Sequence, residues 1–149
     1  MNIDFLQTPI GKLEIKASET GVHSILFVDS QPEKVSPSNL TDEACRQLNE
    51  YFNGKRRTFD LPLAAKGTDF QQRVWQALST IPFGDTVSYA YIANAIGKPA
   101  AARAVGAANG KNPLSIVVPC HRIIGANGNL TGYAGGLERK AYLLNLEQA

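Results

Sequence analysis

The hydrophobic pattern of this 149-residue chain changes period near Lys66, and that change constrains the fold more than any single motif. Before it, residues 2–7, 12–17 and 22–28 alternate apolar and polar side chains, as half-buried strands do. Thr8-Pro9-Ile10-Gly11 and Glu19-Thr20-Gly21 supply turns between them, so an antiparallel meander is expected. A polar, proline-bearing loop follows from Ser30 to Asn39. Then comes a helix capped by Thr41 or Asp42 and running through Phe52, with Ala44, Leu48, Tyr51 and Phe52 on its apolar face and Gly54 as its stop. Cys45 lies inside this helix as core filler. Residues 58–67, with Pro62 and Gly67, read as an edge strand entering a linker.

Beyond Lys66 the period becomes helical. Thr68-Asp69-Phe70-Gln71 is a capping box, and Phe70, Val74, Ala77, Leu78 and Ile81 fall on one face of a helix that ends at Pro82-Phe83-Gly84. Residues 88–97 form a second helix between a Ser88 cap and Gly97, and a third runs from about Ala100 to Ala108. Helix, glycine-containing turn and helix are the local signature of a helix-turn-helix, which a plain antiparallel pair would share. The third helix carries many alanines, Gly106 and one charge, Arg103. Such small residues allow close backbone approach to a groove or to another helix. Asn127-Gly128 is expected to turn a hairpin between Ile123-Ile124 and Leu130, and residues 137–147 to close the fold with Leu137, Ala141 and Leu144 on one face.

The chemistry concentrates in Ser115–Ile124. Ile116 to Val118 favours a strand, Pro119 ends it, and Cys120 then stands at the strand end beside His121, one of two histidines. A reactive cysteine needs a route to its thiolate, and a neighbouring imidazole provides one near neutral pH. Three other readings compete: a buried structural cysteine, a cysteine hydrolase, and a transcription factor that reads bases without chemistry. Adjacent residues rarely reach the separated geometry of a hydrolytic Cys–His pair, and a recognition helix with one arginine has little with which to read base edges.

Composition narrows the field. Net charge is +2, with 8 Lys/Arg against 9 Asp/Glu in residues 1–66 and 7 against 4 in residues 67–149, so the half holding Cys120 carries the positive excess. That permits a nucleic-acid partner without requiring one. Two cysteines make no disulfide framework, no Cys/His cluster has metal-ligand spacing, and no apolar run is long enough to span a bilayer. A cytoplasmic or nucleoid protein with reduced cysteines and no structural zinc is expected. Lone His23 and the run Lys55-Arg56-Arg57 read as ordinary surface.

With those residues in view, the C-terminal half closely resembles the O6-alkylguanine-DNA alkyltransferases. The match runs through Phe70, Val74-Trp75, Ile81-Pro82, Gly84, Ser88-Tyr89, Arg103-Ala104-Val105-Gly106, Asn112-Pro113, Pro119-Cys120-His121-Arg122, Gly132-Tyr133, Gly135-Gly136 and Glu147. The resemblance implies an α/β (α+β) fold: a small N-terminal ribonuclease-H-like mixed domain over 1–66, then a C-terminal helical winged helix-turn-helix domain over 67–149. It implies irreversible, single-turnover transfer of the alkyl group from O6-alkylguanine in double-stranded DNA to Cys120, with O4-alkylthymine left open. It further implies a monomer with no cofactor and no membrane association. His121 would relay the thiol proton through a water, with Glu147 orienting it, and Asn112 would hold the Cys120 turn. Arg103 would fill the place of the extruded base. Tyr89 would crowd the adjacent phosphate and donate to the departing guanine. Ala102, Gly106 and Arg122 join the DNA contacts, and Tyr133, Ala134, Gly135 and Val118 line the substrate pocket.

Overall fold

The computed structural model describes residues 1–30 and 34–149. Of the loop expected from Ser30 to Asn39, residues 31–33 lie outside the described residues. The chain divides into two compact units, Met1–Lys66 and Gly67–Ala149.

In the first unit, β1 (Asn2–Thr8), β2 (Gly11–Ser18) and β3 (Gly21–Val28) form the antiparallel meander. The register pairs Leu6 with Leu13 and Ile15 with Ile25, and Leu13, Ile15 and Ala17 are fully buried at period two. Helix α1 (Asn39–Phe52) covers the sheet with Ala44, Leu48, Tyr51 and Phe52. It starts earlier than expected, because Ser38 is the cap and Thr41 closes the capping box from inside the first turn.

Residues 58–67 do not form the expected strand. Their backbone groups pair elsewhere: the Gln47 side-chain amide donates to Asp60 O at 3.0 Å and accepts from Asp60 N at 2.9 Å. A single bridge joins Leu63 to Val22, with Val22 N donating to Pro62 O and Ala64 N donating to Val22 O, each at 2.8 Å. This approach requires Gly21, whose φ is +143° and where a Cβ would sit 2.8 Å from Pro62 O.

The second unit is built on α2 (Asp69–Leu78), α3 (Tyr89–Ala95) and α4 (Ala102–Gly110), which pack on one another. Val74, Leu78, Ile92, Ala93 and Val105 are fully buried, and the Trp75 indole N–H donates to Ala108 O at 2.9 Å. The capping box of α2 is as expected, although the helix ends at Leu78 with Ser79 as its C-cap. Gly97, at φ +75°, turns the chain between α3 and α4. The short strands β4 (Val87–Ser88) and β5 (Ile123–Ile124) pair in parallel.

That pairing corrects the expected hairpin. Asn127-Gly128 does turn the chain, with Gly125 N donating to Asn129 O, but β5 finds its partner just before α3 rather than in Leu130. Helix α5 (Leu137–Leu146) also buries a different stripe from the one expected. Lys140 and Leu143 are fully buried and Glu147 is 5% exposed, whereas Leu137 is 49% exposed. Two charged side chains, rather than an apolar row, thus face the interior.

Candidate active site

Asn112, just beyond α4, shapes the approach to Cys120. Its amide nitrogen donates to Val118 O at 2.9 Å and to Leu114 O at 3.3 Å, and its oxygen accepts from Leu114 N at 3.0 Å. Within this clasp Val118 N donates to Leu114 O, Val117 N to Ser115 O, and Cys120 N to Val118 O. Ile116 is forced to φ +73°, a left-handed conformation that a β-branched residue rarely adopts. The segment 116–118 is therefore a chain of tight turns and not the strand its propensity suggested: satisfying buried polar groups outweighs a preference worth under about 1 kcal/mol. Cys120, His121 and Arg122 follow as one 3-10 turn. Replacing Asn112 with alanine would strand buried backbone groups at a cost of roughly 2–4 kcal/mol, or a fall of about 5–15 °C in Tm. Thermal melts of Asn112→Ala against the parent check this, and an unchanged Tm would mean the turns hold without the clasp.

Cys120 is 3% exposed. Burial pushes its thiol up to about 11; a hydrogen bond from Asn112 and the charge of Lys140 offset part of that rise. His121 is fully buried, and burial lowers its pKa against the opposing pull of Glu147, so the resting imidazole is neutral. Its Nε2 lies 2.7 Å from Glu147 Oε2. A carboxylate can only accept, which puts the proton on Nε2 and leaves the lone pair on Nδ1. That buried Nδ1 has no hydrogen-bond partner among the described residues.

Arg122 is expected among the DNA contacts, and the structure corrects this. It is 6% exposed, its Nε donates to Glu147 Oε1 at 2.8 Å, its Nη2 to Glu147 Oε2 at 3.0 Å, and its Nη1 to Ile81 O at 2.7 Å. A guanidinium fork so engaged has its donors directed inward, where it fixes Glu147 for His121.

Arg103, by contrast, is exposed on α4. With Tyr89, Ala102 and Gly106 it lines an open concavity of about 330 Å³. Gly106 lies against Tyr89: an added Cβ would sit 3.6 Å from the phenol ring. Tyr133 is 8% exposed, and burial followed by the neighbouring Cys120 raises its pKa well above the usual tyrosine value. Val118 is buried, Gly135 half-buried and Ala134 exposed. Among the described residues no cluster of three or more His, Cys, Asp or Glu side chains could hold a metal. Among the described residues no helix is long and apolar enough to cross a membrane.

Two residues escaped the sequence reading. Lys140 Nζ, fully enclosed, donates to Ile123 O at 2.5 Å and to Thr131 O at 2.8 Å, and burial lowers its pKa. Lys140, Leu143 and Glu147 share one helical stripe, but two charged side chains give that stripe no apolar signal in the sequence. Asn109 donates to Cys120 O at 3.4 Å from a buried position on α4. Nothing in the alanine-rich sequence of that helix singles it out.

Residues 69–149 match the model described as 6-O-methylguanine DNA methyltransferase, DNA binding domain, and residues 1–65 match the ribonuclease-like domain of the same description. The chain belongs to the 6-O-methylguanine DNA methyltransferase family. It is similar to the methylated-DNA–protein-cysteine methyltransferase of Methanosarcina barkeri, at 47% identity with 99% of this chain and 98% of that relative covered. The protein of the same name from Mycobacterium tuberculosis H37Rv is 51% identical, over 97% of this chain and 90% of its own. Among solved structures, Mycobacterium tuberculosis OGT in complex with DNA superposes with a TM-score of 0.92 at 47% identity, covering 99% of this chain and 93% of that one. The methyltransferase fold of the family, mixed α/β with a sheet-rich N-terminal part and a helical C-terminal part, is thus present along the whole chain.

Proposed function

We propose that this protein repairs DNA by direct reversal, moving the alkyl group of O6-alkylguanine in double-stranded DNA irreversibly onto Cys120. The observation that carries the reading is a buried thiol followed in the same turn by a neutral imidazole whose Nε2 is anchored to Glu147 and whose Nδ1 lone pair is uncommitted. The thiol proton passes to Nδ1 through a bridging water, and Glu147, itself gripped by Arg122, stabilises the imidazolium. Thiolate sulfur attacks the alkyl carbon, a C–S bond forms, the O6–C bond breaks, and its electron pair remains on the guanine. Tyr89 delivers a proton to that developing anion.

The same reading gives the DNA-facing residues their work. Arg103 enters the stack as the base leaves, while Ala102 and Gly106 let α4 approach the backbone closely. Tyr133, Ala134, Gly135 and Val118 border the base pocket, and Asn112 keeps the Cys120 turn in shape. The second unit, residues 67–149, holds all of these groups and constitutes the DNA-binding and transfer domain. The protein acts as a cytoplasmic monomer without a cofactor.

A thioether has no electrophilic carbonyl for water to attack, so the reaction happens once, whereas a cysteine hydrolase regenerates its thiol through a thioester. Titrating an O6-methylguanine duplex with protein, followed by intact-mass and peptide analysis, is expected to plateau at one lesion per active molecule with one methyl on the peptide containing Cys120. Sustained turnover with unmodified Cys120 would defeat the mechanism.

A further inference from the structure

Thr131 is tied to the site through two contacts that the alkyl-transfer reading does not use. Its Oγ1 lies 2.6 Å from the Tyr89 hydroxyl. Its carbonyl accepts from Lys140 Nζ at 2.8 Å, and the same ammonium donates to Ile123 O immediately after the Cys120–Arg122 turn. A β-branched side chain on an anchored backbone has few χ1 rotamers, and the 2.6 Å contact selects the one that sets its hydroxyl on Tyr89.

Each of the two hydroxyls has a single proton to donate. While Tyr89 donates to Thr131, its proton points away from any base. When Tyr89 turns its proton toward a guanine, Thr131 becomes the donor, and its O–H then stabilises the negative charge that gathers on the phenol oxygen as the proton leaves. We propose that Thr131 is a positioning residue for proton delivery: its hydroxyl donates to Tyr89, aims the phenol proton at the departing base and lowers the barrier to releasing it. The proton count is unchanged, since Thr131 keeps its own proton and Tyr89 is reprotonated from solvent after transfer. The inference rests on the role given to Tyr89 above.

Thr131→Val keeps the branched shape while removing the hydroxyl, and Thr131→Ser keeps the hydroxyl. Single-turnover methyl transfer from an O6-methylguanine duplex is measured for both, in the parent and in the Tyr89→Phe background, with melting curves to verify folding and peptide mass to count methyl groups. Thr131→Val is expected to slow transfer about tenfold while still reaching one methyl per Cys120, the loss of one charge-assisted hydrogen bond in the transition state. Thr131→Ser should recover most of the rate, and in Tyr89→Phe neither substitution should matter. A parent-like rate in Thr131→Val, or the same tenfold loss persisting in Tyr89→Phe, would overturn the role of Thr131 and leave alkyl transfer standing. No methyl on Cys120 in the parent protein would overturn both.

Discussion

Cys120→Ser is expected to take up no alkyl group while still binding DNA, and Cys45→Ser to remain fully active. Both thiols are protonated at rest, Cys120 near 11 and Cys45 near 12, so thiol acidity does not separate them. Their neighbours do. Cys45 is raised by burial and then by the charges of Asp4 and Asp42, so its surroundings repel a thiolate. Cys120 is followed by an imidazole with a lone pair to spare, and Lys140 favours its charged form. Intact-mass analysis after exposure to an O6-methylguanine duplex reads the result directly. Methylation lost in a correctly folded Cys45→Ser would identify the other cysteine as the nucleophile.

Arg103→Ala is expected to slow repair of duplex DNA roughly 10- to 100-fold and transfer from a free O6-alkylguanine base by less than about threefold. Extruding a base costs a few kcal/mol, of which an inserted cation recovers part, and a recovery of about 1.4–2.7 kcal/mol corresponds to that loss in rate. A free base needs no extrusion. Arg103 is also the exposed wall of the concavity at Tyr89 and not part of the core, so its removal leaves packing intact. Rates on both substrates settle the point; equal losses on the two would place the defect in the pocket or the fold and remove the stacking role.

What could be read from sequence follows the range over which each force acts. The capping box at Thr68 and the serine cap at Ser88 are local hydrogen-bond patterns, and both stand in the structure where they were expected. The meander β1–β3 was legible because one buried face imposes strict alternation. The turns at Ile116–Val118 were not, because the Asn112 clasp supplies hydrogen bonds that overrule the strand propensity of three β-branched residues. Segment 58–67 escaped because a side chain again takes backbone groups a strand would use, Gln47 holding both those of Asp60, which leaves a single bridge to Val22. Helix α5 misled through its charges: hydrophobic periodicity cannot find a buried stripe made of Lys140 and Glu147. Arg122 was placed among the DNA contacts by resemblance, and only its partners show that its guanidinium faces inward.

The burial of the Cys120 sulfur, described above as a shift in acidity, also governs what the molecule ignores. With Cys120 only 3% exposed and its thiol held near 11, the sulfur is almost wholly protonated at neutral pH, so peroxides and stray soluble electrophiles meet little surface and no thiolate. A protein that can react once is consumed by any such encounter. Withholding the nucleophile until a base fills the site therefore reserves each molecule's single reaction for a lesion, and the resting sluggishness of the sulfur is the source of its chemoselectivity.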